Sequence, residues 1–469
     1  MMRVSQAAHA LGARFTGGDL EFTAVNTDSR SIRRGDLFVA LKGERFDGHT
    51  FVAQAAAAGA AAVLVAGESD IKLPQIVVED TTQALGRLAN YWRGQFDIPL
   101  VALTGSNGKT TVKEMLAAIL REACRTSKAP APDPQSCVLA TRGNLNNHIG
   151  VPLTLLELRR PHRYAVVEMG MNHAGELSYI TQLAEPDVAL INNAGVAHIE
   201  NLGSAEAIAR AKGEIFEGLK AGGVAIFGAD ERHAPLWREL AAGKKQLDFA
   251  LDAPAAVTAT CKIRRRDSEI VLKTPLGEAR AVVPVPGLHN VRNALAASAA
   301  AIALAVPVAT VAAGLARFGG VNGRLQYKFA ARGALLIDDT YNANPESVQA
   351  AIAVLAQVSG RKLLVLGDMG ELGTDAAVMH AQVGAYARQS GIDRLLTLGE
   401  LSAHAAQSFG AGARHFTRIE ELLGEIENLL APDVTLLVKG SRFMRMERVV
   451  DAFAADRDAR SEKSARANP

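Results

Sequence analysis

One short segment of the sequence combines the residue types that bind nucleotide phosphates. It reads Thr104-Gly105-Ser106-Asn107-Gly108-Lys109-Thr110-Thr111 and stands between an apolar strand-like run and a predicted helix. Glycines let successive backbone N–H groups turn towards an anion, and a helix N-terminus adds positive potential. In such loops the lysine, here Lys109, reaches the β- and γ-phosphates, and the following hydroxyl, here Thr110, coordinates Mg²⁺. The longer pattern G-x-x-x-x-G-K-[ST] is not met, because its first glycine would fall on Leu103.

Two more polar residues follow predicted strands. Glu168 closes the run 165–168, and His198 comes shortly after the run 188–192. Ligands of open α/β sheets bind at the carboxyl ends of the strands. A carboxylate there, beside bound ATP, has the hard oxygen that Mg²⁺ prefers. A solvated strand-end carboxylate and a purely structural loop histidine are the alternatives, and the residues alone leave both open.

Lys212 has an unusual position for a lysine. A helix is predicted over 204–219, and its apolar face carries Ile208, Ala211, Ile215, Phe216 and Leu219. Lys212 falls on that same face, where burial would disfavour the charged amine. A neutral amine can act as a nucleophile or react with CO₂. The alternative is a lysine whose stem lies on the apolar surface while its ammonium reaches water.

The last third of the chain has two polar segments after predicted strands. Asp338 and Asp339 close the strand predicted over 335–337, and Asn344-Pro345 has the residue types of a helix N-cap and first turn. Capping explains the asparagine and proline but not the paired aspartates. The segment Gly-Asp-Met-Gly-Glu-Leu-Gly at 367–373 follows another strand, and its simplest interpretation is a flexible loop.

The elements that must position these residues predict an α/β fold. Apolar runs without alternation stand at 100–104, 165–168, 188–192, 335–338, 363–366 and 435–439. Such runs are typical of strands buried on both faces of a parallel sheet, and each precedes a helix candidate. A β-rich patch is predicted near 257–285. The alanine-rich stretch 294–316 is long enough to span a bilayer, but Pro307 and the scarcity of large apolar residues favour two packed core helices.

Composition limits the classes of function. The chain has 469 residues, 48% of them hydrophobic, with 51 basic and 49 acidic residues and a net charge of +2. This balance argues against a nucleic-acid binder, which needs a concentrated basic face. Three cysteines, Cys124, Cys137 and Cys261, show no C-x-x-C spacing. A disulfide framework and a cysteine zinc site are not expected, which indicates a reducing compartment.

The length and the breaks between runs predict three domains. The expected boundaries are 1–97, 98–322 and 323–455, with a disordered tail at 456–469. The breaks are the Asp-Ile-Pro at 97–99 and the Gly-Gly at 319–320. The Pro-rich segment 128–137 is expected to form a surface loop.

Taken together, these segments resemble the ATP-dependent Mur ligases of peptidoglycan synthesis, over nearly the whole chain. Besides the phosphate loop, the matching segments are NTDSR at 26–30, GDLFVALKGERFDGH at 35–49, GNLNNHIGVP at 143–152, AKGEIF at 211–216, GLHNVRNA at 287–294, DDTYNAN at 338–344 and VKGSR at 438–442. The resemblance implies an N-terminal α/β domain that binds a UDP-sugar, a central parallel-sheet domain of the P-loop ATPase type, and a C-terminal Rossmann-like domain.

The resemblance also implies roles for individual residues. ATP would be bound by Gly105, Ser106, Asn107, Gly108, Lys109, Thr110, Thr111, Asn290, Arg324 and Asp339. Mg²⁺ would be bound by Thr110, Glu168 and His198. Lys109, Lys212, His198 and Glu168 would take part in catalysis, with Lys212 carbamylated. The muropeptide and the incoming dipeptide would be bound by Ser29, Arg30, Lys42, Gly43, Asp47, Asn146, Asn147, Asn342 and Asn344.

The activity implied is the addition of D-Ala-D-Ala to UDP-MurNAc-tripeptide, through an acyl phosphate made from ATP. The closest alternative within the family adds the third residue to UDP-MurNAc-dipeptide, but its Asp-Asn-Pro-Arg element is absent. A nucleotide-sensing module and a P-loop phosphotransferase are alternatives from other classes. A cytoplasmic monomer is expected, without membrane insertion.

Overall fold

The computed structural model describes residues 1–43, 46–127, 133–195 and 199–455. Within these ranges, three main sheets of five, nine and six strands follow one another along the chain, with a small two-stranded sheet near the N-terminus. The predicted α/β class is therefore confirmed. The predicted disordered tail, 456–469, lies outside the described residues.

The N-terminal sheet has the order β2-β7-β6-β5-β4, with only β2 antiparallel. Its strands and those of the small β1-β3 sheet are β1 (Met2–Arg3), β2 (Arg14–Thr16), β3 (Glu21–Phe22), β4 (Ala24–Asn26), β5 (Asp36–Val39), β6 (Ala62–Val65) and β7 (Gln75–Val77). The helices are α1 (Val4–Leu11), α2 (Val52–Ala57) and α3 (Thr81–Arg93), with a 3-10 turn at Gly48–Phe51.

The central sheet has the order β16-β15-β14-β13-β12-β11-β8-β10-β9, parallel from β9 to β14 and antiparallel beyond. Its strands are β8 (Leu100–Thr104), β9 (Val138–Ala140), β10 (Tyr164–Glu168), β11 (Val188–Ile191), β12 (Val224–Gly228), β13 (Lys245–Ala250), β14 (Val257–Ile263), β15 (Ser268–Thr274) and β16 (Gly277–Val283). The helices are α4 (Lys109–Thr126), α5 (Gly150–Leu156), α6 (Glu176–Ala184), α7 (Ile199–Leu202), α8 (Ala205–Gly213), α9 (Ala234–Leu240), α10 (Leu288–Ala303) and α11 (Val308–Ala316).

The C-terminal sheet has the order β17-β18-β22-β19-β20-β21, in which only β17 is antiparallel. Its strands are β17 (Gln326–Phe329), β18 (Leu335–Asp339), β19 (Arg361–Gly367), β20 (Arg394–Leu398), β21 (Ala413–Phe416) and β22 (Val434–Lys439). The helices are α12 (Pro345–Ala356), α13 (Ala376–Gln389), α14 (Ser402–Phe409), α15 (Ile419–Leu429) and α16 (Glu447–Phe453), with 3-10 turns at Ala331–Gly333, Gly373–Asp375 and Arg442–Met444.

The order of the central strands explains where a ligand can bind. Strand β8 is buried along its whole length and lies between β10 and β11, which come later in the chain. The chain passes from β8 to β9 and β10 on one side and then crosses to β11 and β12 on the other side of β8, and such a switch point opens a crevice at the carboxyl ends of the strands. The phosphate loop follows β8 directly, so it lies at this crevice.

Several predicted elements differ in detail. The helix predicted over 204–219 is the shorter α8, followed by a 3-10 turn at Glu214–Phe216. The stretch 294–316 contains the C-terminal part of α10 and all of α11, which are two core helices, as predicted. The break between them lies at 304–307 and includes Pro307. No helix in the described ranges combines the length and apolarity needed to cross a membrane.

One disulfide is present, although no disulfide framework was expected from the cysteine spacing. A disulfide joins Cys124, near the end of α4, to Cys137, just before β9, while Cys261 is free. The end of α4 and the start of β9 lie side by side, which the spacing of the cysteines along the chain does not reveal. Residues 128–132 of the predicted surface loop lie outside the described part of the chain.

Candidate active site

The phosphate loop is shaped by a glycine in the left-handed region. Gly108 has φ +78° and forms the N-cap of α4, so the first helical residue is Lys109. A β-carbon at Gly108 would collide with the side-chain amides of Asn293 and Asn192. The Lys109 ammonium folds over the loop and donates to the carbonyl oxygen of Gly105 at 2.7 Å. The loop therefore has the conformation and the charge to enclose a phosphate.

Two asparagines after β11 brace the phosphate loop, and sequence reasoning gave them no role. The Asn193 side chain accepts from the backbone N–H of Asn107 at 2.8 Å and donates to the Asn107 carbonyl at 3.0 Å. The Asn192 amide donates to that same carbonyl at 2.9 Å and to Asn293 Oδ1 at 3.0 Å. One sequence signal could have identified them: two asparagines stand at the end of a strand that neighbours the strand before the phosphate loop.

Glu168 lies at the end of β10, the neighbour of β8, and is 2% exposed. Its Oε1 accepts from the Asn146 amide at 2.9 Å, while Oε2 is buried and has no hydrogen-bond partner among the described residues. A buried carboxylate oxygen of this kind, close to a phosphate loop with a threonine hydroxyl, fits a hard cation such as Mg²⁺.

The predicted metal ligands are brought together only in part. Thr110 lies in the first turn of α4, after β8, and Glu168 ends the adjacent strand β10, whereas His198 lies outside the described residues. In the described part of the chain, no group of three or more His, Cys, Asp and Glu side chains could hold a metal ion. A site built from Thr110 and Glu168 would therefore depend on phosphate oxygens and water for its other ligands.

Lys212 is buried, as its position on the apolar face indicated. Its side chain lies in α8 and is 1% exposed, so it does not extend to water. Burial, and then the charge of Lys109, lower the pKa of Lys212 well below its usual value. The two lysines are thus close enough to repel each other, and Lys212 favours the neutral amine at the site.

The C-terminal domain adds cationic and acidic groups to the same crevice. Arg324 Nη2 lies 3.4 Å from the hydroxyl of Thr110, and its guanidinium stacks on Tyr341 at 4.4 Å. The Nε of Arg324 is buried without a hydrogen-bond partner among the described residues, so it can donate to a bound anion. Asp339 binds Lys439 at 2.6 Å, and this pair fixes the end of β18 next to Arg324.

Asn344 has two roles in the structure. Its Oδ1 accepts from the N–H of Ser347, which caps α12 as predicted, and its amide donates to Asn107 Oδ1 at 2.8 Å. The Asn107 amide also donates to Glu346 at 3.0 Å, so the phosphate loop touches the start of α12. The carbonyl of Asn342 accepts from Lys439 at 2.8 Å.

A cavity of about 350 Å³ lies between the central and C-terminal domains. Asn107, Asn192, Asn290, Arg324, Asp339 and Glu346 are part of its lining. Glu231, after β12, lines it as well; burial, opposed by the N–H of Ala194, raises the pKa of this carboxyl to about 7. This volume is typical of a small-molecule site, and its polar lining suits a nucleotide.

The predicted substrate residues are divided between two places. Asn146 donates to Glu168, and the side chain of Asn147 accepts from the N–H of Gly150, the first residue of α5, at 2.9 Å. Those of the N-terminal domain make local contacts. The hydroxyl of Ser29 donates to Gln54 and Arg30 forms an ion pair with Asp28, while the backbones of Lys42 and Asp47 form an isolated antiparallel β-bridge and the N–H of Gly43 donates to the carbonyl of Phe46. No hydrogen bond or ion pair within the described ranges joins these N-terminal residues to the phosphate loop.

The phosphate loop at a switch point, enclosed by a C-terminal Rossmann-like domain, defines a nucleotide-dependent enzyme, and comparison with known families identifies its class. Models described as Mur ligase middle domain, Mur ligase glutamate ligase domain, and Mur ligase family catalytic domain match residues 103–301, 323–442 and 21–93, respectively. The chain therefore belongs to the Mur ligase family.

Individual relatives narrow the resemblance. The chain is 44% identical over 454 residues to the UDP-N-acetylmuramoyl-tripeptide–D-alanyl-D-alanine ligase of Escherichia coli K12, covering 96% of this chain and 98% of the relative. The ligase of the same name from Bacillus subtilis is 37% identical, with 91% and 92% covered. Among solved structures, MurF from Acinetobacter baumannii has a TM-score of 0.88 at 38% identity, covering 96% of this chain and 98% of that one. MurF from Thermotoga maritima, in complex with ADP, has a TM-score of 0.79 at 26% identity, with 92% and 96% covered.

Proposed function

We propose that this chain joins D-Ala-D-Ala to UDP-MurNAc-tripeptide with consumption of ATP, giving UDP-MurNAc-pentapeptide, ADP and phosphate. The observation that carries the proposal is the full-length similarity, at 44% identity, to a relative named for that reaction. The alternative, addition of the third residue to UDP-MurNAc-dipeptide, is not favoured, because the ligase for that step is only 19% identical to this chain.

The first chemical step activates a poor acyl donor. A carboxylate oxygen of the tripeptide attacks the γ-phosphorus of ATP, the bond to the β,γ-bridging oxygen breaks, and ADP leaves with that electron pair. Lys109, which lies over the phosphate loop, and Arg324, which contacts the hydroxyl of Thr110, would neutralise charge on the transferred phosphoryl group. Asp339 and Asn290 would bind the nucleoside part of ATP in the cavity between the two domains.

The second step forms the amide. The amine of D-Ala-D-Ala attacks the carbonyl carbon of the acyl phosphate and loses a proton, and the tetrahedral intermediate expels inorganic phosphate. Enclosure between the central and C-terminal domains would exclude water, which otherwise hydrolyses the acyl phosphate. Asn342 would help to place the dipeptide from the C-terminal side, while Asn344 is already bound to Asn107.

Mg²⁺ would be held by Thr110 and Glu168, with His198 as a further ligand, and would supply charge neutralisation of the phosphates. Lys212 would support this site as a carbamate, formed when its neutral amine adds to CO₂ and releases a proton. The burial of Lys212 and the unpartnered Oε2 of Glu168 support this arrangement.

The UDP-muropeptide would be bound by residues of two domains. They are Ser29, Arg30, Lys42, Gly43 and Asp47 of the N-terminal domain, and Asn146 and Asn147 of the central domain. The proposal includes a cytoplasmic location, since ATP and UDP-linked precursors are cytoplasmic. It also includes a monomeric state.

The test measures phosphate release from ATP and Mg²⁺ with UDP-MurNAc-tripeptide and D-Ala-D-Ala, added separately and together. Release that requires both substrates, with UDP-MurNAc-pentapeptide in the products, is expected. Turnover only with UDP-MurNAc-dipeptide and a diamino acid would assign the preceding step instead. Turnover with no muropeptide would contradict a ligase and leave a phosphotransferase or a sensor.

A further inference from the structure

The side chain of Asn107 joins the phosphate loop to the C-terminal domain. Its Oδ1 accepts from the Asn344 amide at 2.8 Å, and its own amide donates to Glu346 Oε2 at 3.0 Å. The backbone of Asn107 is held within the central domain by the side chains of Asn192 and Asn193. The backbone and the side chain of Asn107 are therefore bound to different domains, so a displacement of either domain is transmitted to the loop.

Glu346 lies in the first turn of α12, where the helix dipole favours a carboxylate. This local effect does not explain why its side chain crosses to the phosphate loop. Asn344 and Ser347 already form a reciprocal cap at the start of α12. A carboxylate here also brings a negative charge to a cavity whose expected ligand carries phosphates, and like charges repel. The position of the Glu346 side chain therefore calls for a role outside helix capping.

The Glu346 carboxylate is packed against the backbone of Gly195, in the segment that follows β11. A β-carbon at Gly195 would collide with this carboxylate. The backbone of Gly195 is outside the left-handed region, so the approach of Glu346 is what leaves no room for a side chain. The carbonyl of Gly195 accepts from the hydroxyl of Ser106, in the phosphate loop, at 3.1 Å. Glu346 thus contacts the loop at Asn107 and contacts the segment that braces it at Gly195.

Arg324 reaches the same loop from the same part of the C-terminal domain. It stands just before β17, whose first residue pairs with Asp338 near the end of β18, and Glu346 follows β18 at the start of α12. Arg324 Nη2 is 3.4 Å from the hydroxyl of Thr110. When Glu346 is seated on the loop, the distance of Arg324 from the phosphates is set as well. Phosphoryl transfer depends on such positioning, and a misplacement of about 1 Å can cost about 100-fold in rate.

We propose that Glu346 is a positioning residue that seats the C-terminal domain on the phosphate loop, through Asn107 and Gly195, and thereby places Arg324 for phosphoryl transfer. The assignment rests on the proposed ligase function and adds to it a contact that couples closure of the domain to the first chemical step. Glu346 acts through Asn107 and not on a substrate. Its loss should therefore lower kcat and leave the affinity for ATP largely intact.

The first experiment measures initial rates of phosphate release in the full chain, with ATP, UDP-MurNAc-tripeptide and D-Ala-D-Ala each varied in turn. Glu346→Ala should lower kcat by about tenfold or more, while the KM for ATP changes by less than about threefold. Glu346→Gln keeps an oxygen that can accept from Asn107 and should retain most of the activity. Glu421→Ala removes an exposed carboxylate from the first turn of α15, in the same domain, and should match the wild type.

A variant of the central domain tests the same contact from the other side. Gly195→Ala should reproduce the loss of kcat, because its β-carbon displaces the Glu346 carboxylate. In the Glu346→Ala background the added methyl group meets no carboxylate, so Gly195→Ala should cause no further loss. Gly67→Ala is the control, because a β-carbon there would meet open space, and it should match the wild type.

Hydrogen exchange separates seating of the domain from the stability of α12. Backbone amides of 104–111 should exchange faster in Glu346→Ala than in the wild type, because the loop loses a contact with the C-terminal domain. The same amides should be unchanged in Glu421→Ala. Faster exchange confined to 345–356 would show that Glu346 only stabilises its own helix, and would overturn the proposal.

The kinetic measurements can overturn the proposal as well. A higher KM for ATP with unchanged kcat would make Glu346 an ordinary nucleotide contact. Equal losses in Glu346→Gln and Glu346→Ala would show that the charge, and not the seating, matters. Losses that multiply when Gly195→Ala and Glu346→Ala are combined would show that the two residues act independently. Failure of the wild type to make pentapeptide would overturn the proposed function itself, and it would be seen before any variant is compared.

Discussion

Lys212 gives a sharp test at the scale of one residue, because its amine is buried and the proposal gives it a chemical role. Lys212→Ala should lower the rate of ligation by about 100-fold, since it removes the proposed carbamate that would support the Mg²⁺ site. A short-chain carboxylic acid can occupy the space left by the side chain and supply a carboxylate there. Partial recovery of phosphate release with added acid is therefore expected.

A second buried lysine provides the control. Lys113 is 2% exposed in α4, donates to the carbonyl of Thr141 at 2.6 Å and forms an ion pair with Glu114 at 3.0 Å, so its ammonium is engaged in polar contacts. Lys113→Ala should lose stability, and carboxylic acids should give no recovery. Near-full activity of Lys212→Ala, or equal recovery of both variants, would remove the carbamate from the mechanism.

Glu231 predicts a pH dependence of stability. Burial raises its pKa to about 7 in the folded chain, from 4.5. A carboxyl with a raised pKa favours the folded state when protonated, so its contribution is complete below pH 4.5 and is lost as the pH rises to about 7. Glu231→Gln keeps a neutral group at all pH values. Relative to the wild type, its free energy of unfolding should rise between these pH values, by at most about 3 kcal/mol.

Urea unfolding of both proteins at pH 5 and pH 8 measures this difference. Asp230→Asn serves as the control, because it makes the same change from a carboxyl group to an amide at the neighbouring residue. A pH-independent difference between Glu231→Gln and the wild type would show that the carboxyl is ionised in the folded chain at neutral pH.

At the residue scale, sequence reasoning succeeded for functional residues whose pattern lies within one short segment of the chain. The Gly-Lys-Thr of the phosphate loop and the apolar face that carries Lys212 are each visible within ten residues. The amides of Asn192 and Asn293 meet at 3.0 Å although they are 101 positions apart. Their meeting depends on the strand order β11-β8 and on the placement of α10, which no local pattern specifies.

At the scale of elements, the join between β8 and α4 depends on Gly108. Its left-handed backbone and its contact with Asn293 leave no room for a side chain. Gly108→Ala should therefore weaken ATP binding by about tenfold or more, since the loop must shift away from the phosphate position. Isothermal titration with ATP and Mg²⁺ measures the effect.

Gly222→Ala separates backbone strain from the collision. Gly222 has φ +79°, similar to that of Gly108, but a β-carbon there would meet open space. This variant should lose about 1 kcal/mol of stability and bind ATP normally. Equal ATP affinity in the two variants would mean that the tight contact with Asn293 is not needed for the loop.

The elements themselves were largely predictable, because strands buried on both faces leave unbroken apolar runs. The runs at 100–104 and 435–439 became β8 and β22 within one residue at each end. The helix predicted over 204–219 was too long, since apolar spacing continues through the 3-10 turn at Glu214–Phe216, where the hydrogen bonding changes. The spacing of apolar residues indicates which face of a helix is buried, but it distinguishes poorly between an α-helical turn and a 3-10 turn.

At the scale of the whole molecule, the core is divided unequally. One continuous apolar cluster runs from Met2 in the N-terminal domain to Ala241 in the central domain. The two clusters of the C-terminal domain begin at Leu325 and Ala330 and include no residue of the other domains. The contacts described between the central and C-terminal domains around the phosphate loop are polar. The first two domains should therefore unfold as one unit, and the C-terminal domain separately.

Arg93 is the residue that tests this division. It ends α3, is 2% exposed, and donates to the carbonyls of Ala184, Phe96 and Ile98 at 3.2, 2.6 and 3.2 Å. Arg93→Met keeps an apolar stem but leaves these carbonyls without their donor. The unit formed by the first two domains should lose about 2–4 kcal/mol of stability.

Scanning calorimetry of the full chain should show two transitions, of which Arg93→Met lowers only one. Arg361→Met is the matched control in the C-terminal domain, where the ion pair with Asp433 at 2.9 Å is about half exposed on both sides. Its loss should shift the other transition by less than about 1 kcal/mol. A single transition that moves as a whole in Arg93→Met would mean that the polar contacts at the crevice already join all three domains. The C-terminal domain would then close over the nucleotide by local adjustment instead of by movement as a separate body.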